Sequence, residues 1–169
     1  MPDAFHARYS ARGKLYEYRI FNRPERPAVE RGYVWHVYKP LDPDAMTRAA
    51  SFLLGSHNFT SFEGTLTENE DPMCHLQQLS LEQQGNIILI HVYADRFLKH
   101  MVRTIVGTLV EVGRGKRTPD SLVDILAAKD RTAAGRTAPA HGLFLMRVDY
   151  DDPSGFLQTD PRFFAKLGT

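Results

Sequence analysis

Residues 76–117, "LQQLSLEQQGNIILIHVYADRFLKHMVRTIVGTLVEVGRGKR", change their apolar rhythm part-way along, and that change decides the fold. Up to Ala94 the pattern is that of two strands around a turn at Gln84, Gly85 and Asn86. The second, "NIILIHVYA", is apolar on both faces and so belongs in the middle of a sheet. From Phe97 the period lengthens. At about 100° per residue, Phe97, Met101, Ile105 and Leu109, with Leu98, Val102, Val106 and Val110, cover over half of a helix surface. The spacing predicts a mostly buried helix over residues 97–112, and a hairpin feeding such a helix calls for helices laid on a sheet.

The flanking sequence fits that frame. "LYEYRIF" (residues 15–21) alternates, with Tyr16, Tyr18 and Ile20 on one face and Glu17 and Arg19 on the other, and "GYVWHVYK" (residues 32–39) reads as a further strand. Asp42 before Pro43 starts a helix with Met46, Ala49, Ala50, Leu53 and Leu54 as its apolar stripe and Gly55 as its stop. Thr118 and Pro119 begin another helix with Leu122, Ile125 and Leu126 inward, and "GLFLMRVDY" (residues 142–150) is a last strand. The expectation is an α+β fold of about five strands, mainly antiparallel, packed with three helices. One domain spans residues 1–152, and residues 153–169 form a tail without clear period.

Composition narrows the function classes. A chain of 169 residues, 43% hydrophobic and 24% charged, has the make-up of an ordinary globular domain. One cysteine, Cys74, with no C-x-x-C or H-E-x-x-H spacing, offers neither an internal disulfide nor a zinc site and favours a reducing, cytoplasmic setting. No apolar run suits a secretory leader or a membrane span. The net charge of +1 hides an uneven distribution. Residues 96–117 carry Arg96, Lys99, Arg103, Arg114, Lys116 and Arg117 against Glu111 alone, whereas residues 49–95 hold no Lys or Arg. Arg8, Arg12, Lys14, Arg19 and Arg23 interleave with Phe5, Tyr9, Tyr16 and Tyr18, a mixture suited to phosphate contact and base stacking, or to plain solvated strand faces.

Arg103 is the residue that asks for an explanation. It sits at the edge of the apolar helix face, between Lys99 and Gly107 at four-residue spacing. A guanidinium there either snorkels to water, joins a structural ion pair, or awaits a carboxylate or phosphate. A mid-helix glycine costs up to about 1 kcal/mol relative to alanine, so Gly107 implies a close neighbour. "GRGKRT" is not a phosphate loop, because position 110 is valine where the motif needs glycine. The scattered histidines, His91 and His141 among them, read as hydrogen-bonded structural residues, and no metal site follows.

Four stretches taken together carry a resemblance: "FHARYSARGKLYEYRIFN", "FLLGSHNFTSF", "FLKHMVRTIVGTLVEVGRGK" and "LAAKDRTAAGRTAPAHGLFLMRVDY". In order and spacing, from Phe5 to Tyr150, they resemble the C-terminal portion of bacterial tRNA pseudouridine synthases of the TruA type. The resemblance implies a pseudouridine synthase-like half and a cofactor-free isomerase that detaches uracil from its ribose, turns it and rejoins it through carbon 5. It also implies tRNA, at its anticodon stem-loop, as partner, and a homodimer. Tyr16 matches the tyrosine that stacks on the target base, and Arg103 matches the arginine that pairs with a nucleophilic aspartate. His6, Arg8, Arg12, Lys14, Lys99, His100, Arg114 and Lys116 are the candidate RNA contacts.

One departure matters. The aspartate belongs to a G-R-T-D motif of the family's N-terminal half, and these 169 residues contain none. "GRTAPAHGL" (residues 135–143) imitates it with Ala138 in the aspartate's place, and alanine can neither attack nor accept a proton. Cys74 and His75 stand near where relatives carry an arginine. Asp71, Asp95 and Asp130 read as loop or cap residues, not as replacements. The chain alone is therefore expected to be inactive, the missing half being its partner. The alternatives are a non-catalytic RNA-binding module, supported by the basic helix end, or a dimerisation scaffold.

Overall fold

The change of rhythm at residues 95–100 is where the chain leaves the sheet and turns onto its face. The computed structural model describes residues 11–29, 31–64 and 71–150. In chain order the elements are β1 (Ala11–Asn22), β2 (Trp35–Val37), α1 (Pro43–Ser51), β3 (Gly55–Asn58), β4 (Met73–Gln84), β5 (Ile87–Ala94), α2 (Met101–Gly113), α3 (Ser121–Ala128) and β6 (Leu143–Tyr150). The strands form one sheet in the order β2-β1-β5-β4-β3. Its pairings are antiparallel except for β1 with β2. The fold is α+β, as expected, with a sixth strand.

β4 and β5 meet through a two-residue loop, Gly85 and Asn86, with Gly85 at φ +59°, a conformation only glycine takes without strain. β5 is central, flanked by β1 and β4. The other edge of β1 is divided. Its first part, from Ala11 to Tyr18, pairs with β6, while Ile20, Phe21 and Asn22 pair with β2. Asn22 ends the strand by donating to the Val37 and Lys39 carbonyls and accepting from the Leu41 amide. This explains why "GYVWHVYK" yields only three strand residues.

The face of the sheet bearing Tyr18, Ile20, Ile88, Ile90 and Val92 shares one core with the three helices. Asp42 caps α1 by accepting from the Ala45 amide at 3.0 Å. Two details differ from the sequence reading. Leu54 is exposed, and Gly55, at φ +98°, opens the edge strand β3 instead of only stopping the helix. α2 starts at Met101, not Phe97. His100 sits before it at φ 61°, and the Lys99 carbonyl turns away to accept from the Gly64 amide at 2.7 Å. Residues Phe97 to Lys99 therefore lie outside the helix, although Leu98 is still buried by the same apolar demand. Among the described residues no helix is long and apolar enough to cross a membrane.

Candidate active site

Strand period places Tyr16 and Tyr18 on the helix-covered face of β1. Tyr16 is half-buried and forms a T-shaped pair with Phe97, ring centroids 5.1 Å apart and planes at 88°. Burial raises the Tyr16 phenol above its ordinary value, so it stays neutral and offers an uncharged aromatic face. Tyr18 is fully buried and donates to the Pro139 carbonyl at 2.6 Å. Burial drives its phenol far upward, against an opposing pull from the charges of Arg103 and Arg136. Two arginines therefore stand near Tyr18.

Arg103 lies in the first turn of α2 and is half-buried. Its Nε donates to the Ala138 carbonyl at 2.7 Å, and the Ala138 amide donates back to the Arg103 carbonyl at 2.9 Å. This reciprocal clamp fixes the guanidinium plane. No carboxylate pairs with Arg103 among the described residues, where Arg19, Arg23, Arg96 and Arg117 each have one. A half-buried guanidinium held by one neutral acceptor among the described residues has outer N–H groups of the kind that can bind an anion.

The segment that clamps Arg103 is strapped to α2. At Gly107 a Cβ would lie 1.7 Å from the Arg136 carbonyl oxygen, so only glycine admits this approach. Thr108 Oγ1 accepts from the Gly135 amide at 2.9 Å and donates to the Thr104 carbonyl at 2.8 Å. Arg131 donates to the Gly135 carbonyl and to Thr137 Oγ1, and Arg117 to the Ala133 carbonyl. Ala138 ends fully buried, its carbonyl being what matters to Arg103. A side chain of one carbon suits that packing.

The candidate RNA contacts separate into groups. His6 and Arg8 lie outside the described residues. Lys14 shares its strand face with Tyr16, and Arg12 is exposed at the start of β1. Lys99 and His100 are exposed at the entry to α2. Burial, then the charges of Arg103, Lys99 and Arg131, lower the His100 imidazole below its ordinary value, so these groups form one cluster. Arg114 and Lys116 are not part of it. They follow the far end of α2, about 16 Å from Arg103 at 1.5 Å per residue.

The three alternative aspartates are otherwise engaged. Asp95 accepts from the His75 and Arg96 amides, Asp71 from the Met73 amide and the Arg96 guanidinium, and Asp130 from the Thr132 amide and hydroxyl. Residues outside the sequence's candidate catalytic and RNA-contact set complete the candidate site: Phe97 as Tyr16's neighbour, the Ala138 carbonyl, Tyr18, and Arg131 and Arg136 as nearby charges. Gly107 was the one local signal of the close packing behind them.

A sequence model of tRNA pseudouridine synthase matches residues 49–151. The chain is 47% identical over 148 residues to tRNA pseudouridine synthase A of Wolbachia pipientis subsp. Culex pipiens, covering 88% of this chain and 60% of the relative. It is 43% identical over 152 residues to the Enterobacter sp. (strain 638) protein of that name, covering 90% and 56%. The chain thus spans somewhat over half the length of these curated relatives.

Proposed function

Since the chain belongs to the tRNA pseudouridine synthase family, we propose that it supplies the stacking and orienting half of a site converting uridine to pseudouridine in the anticodon stem-loop of tRNA. The observation that carries this is the state of Arg103: half-buried, clamped through Nε by the Ala138 carbonyl, and without a carboxylate among the described residues. The partner anion is the catalytic aspartate of a G-R-T-D segment, which lies outside these 169 residues. Beside Arg103 that carboxylate stays ionised, its pKa lowered by the adjacent cation.

Taking a base out of its stack costs a few kcal/mol, and stacking on an aromatic ring returns about 1–3 kcal/mol. Tyr16, neutral and braced by Phe97 in a T-shaped pair, is the platform. Lys14, Lys99 and His100 frame the same region and contact the RNA backbone. Arg114 and Lys116, at the far end of α2, reach a more distant part of the tRNA. A second copy of the chain is the further partner, and the free, buried Cys74 suits a cytoplasmic setting.

The test is tritium release from 5-labelled uridine in tRNA, first with this chain alone and then mixed with an N-terminal half carrying the aspartate. The expected result is no turnover alone and turnover on mixing, most of which is lost with Arg103→Ala. Turnover by the chain alone overturns the account of the aspartate. Unchanged turnover by the arginine variant removes Arg103 from the site.

A further inference from the structure

Around Trp35, which pairs with Ile20 further along β1 from Tyr16, lies an open cavity of about 330 Å³ lined by Arg26, Arg31, Trp35, His36 and His141 among others. We propose that it is a phosphate-binding subsite for the RNA backbone, next to the nucleotide held at Tyr16 and Arg103; the inference rests on the functional reading above.

The lining is basic and, among the described residues, contains no carboxylate. Arg23, three residues before Arg26, is neutralised by Glu25 at 2.7 Å, whereas neither Arg26 nor Arg31 has an acidic partner among the described residues. Arg31 Nε donates to the Pro27 carbonyl at 3.0 Å, which fixes the fork, and its outer nitrogens have no hydrogen-bond partner among the described residues. The imidazoles act as walls. His36 Nε2 donates to the Arg23 carbonyl and His141 Nε2 to the Val34 carbonyl, so each ring is held in place with its Nε2–H already used. Trp35 is buried, with the Arg136 guanidinium over it at 5.1 Å, so this pocket receives a charged group, not a stacked base.

Position ties the cavity to the candidate active site. Trp35 is the register partner of Ile20 and meets Tyr18 edge-on at 6.3 Å. Four residues of strand, about 13 Å, separate Ile20 from Tyr16. The charges of Arg103 and Arg136 both act on Tyr18, and Arg136 stacks on the pocket's tryptophan. A line of cations thus runs from the candidate active site to the cavity, the arrangement that follows a phosphodiester chain.

The experiment titrates labelled tRNA with the whole chain between 50 and 200 mM salt, comparing wild type with the Arg26→Gln/Arg31→Gln double variant. Arg26→Gln alone, an exposed change, serves as a second variant, and Arg48→Gln in α1 as a control outside the pocket. Losing one gripped phosphate should lower the log-log salt slope by about 0.7–0.9 and weaken binding about ten-fold, with the control unchanged. Equal slope and affinity in both pocket variants overturns the subsite and leaves the reading of Tyr16 and Arg103 standing.

Should wild type bind no tRNA, that reading fails, and the pocket is decided separately by fluorescence of Trp35, the chain's sole tryptophan. A saturable change with the dinucleotide UpU, lost in the double variant, supports a phosphodiester site. A response to inorganic phosphate without one to UpU, or no response to either, overturns it.

Discussion

Replacing Gly107 with alanine sets two effects of opposite sign against each other. Helix propensity favours alanine in the middle of α2 by about 1 kcal/mol. The new Cβ, however, would sit 1.7 Å from the Arg136 carbonyl oxygen, where ordinary contact begins at 3.4 Å, so one side must retreat by about 1.7 Å. That oxygen is backbone in a segment tied down on both sides, at Gly135 by Thr108 and Arg131 and at Ala138 by Arg103. Forcing it away overpacks the interface, about 1–3 kcal/mol, and breaks the two hydrogen bonds between Arg103 and Ala138, about 1 kcal/mol each. Packing wins, and a net loss of about 2–4 kcal/mol is expected, a fall in Tm on the order of 10 °C for a chain of this size. Urea denaturation measures it, with Gly32→Ala as the comparison, since a Cβ there meets nothing within 4 Å and should be neutral or slightly stabilising. A Gly107→Ala protein as stable as wild type, or more so, would refute the argument that this glycine exists for the close approach that seats Ala138 on Arg103.

Three further outcomes are expected. Burial alone would raise the Glu17 carboxyl, but hydrogen bonds and charge from Arg19 and His91 carry it below the ordinary 4.5. Its stabilisation is therefore present above about pH 4.5 and lost as pH falls through the lower folded value; a gap between wild type and Glu17→Gln in urea midpoint that does not narrow on acidification contradicts this. Burial pushes the Cys74 thiol up to about 11, so at pH 8 the native protein should resist thiol reagents that label it quickly in urea, and rapid native labelling would disagree. Tyr18→Phe strips the Pro139 carbonyl of its 2.6 Å donor and should lower stability by about 1–3 kcal/mol, which an unchanged denaturation midpoint would exclude.

The sequence by itself determined what depends on short-range periodicity and local backbone chemistry. Alternation over residues 15–21 set the faces of β1, Gly85 marked the hairpin, and Asp42 with Pro43 began α1, because each signal is complete within a few residues. It also showed that Arg103 needed an explanation and that Gly107 needed a neighbour. Tertiary structure decided the rest. α2 begins four residues later than its apolar pattern implies, since the Lys99 carbonyl is taken by Gly64 and His100 turns through a left-handed conformation. β2 lies parallel to β1 beyond the end of β6, and the polar segment Gly55–Asn58 becomes a strand only because β4 offers it an edge. Arg114 and Lys116 shared a charge run with Arg103 and yet stand at the opposite end of a rigid helix. The acceptor that holds Arg103 is a backbone carbonyl 35 residues away, at an alanine. Carbonyls are common to every residue, so no sequence pattern could mark which one a folded chain would bring to that guanidinium.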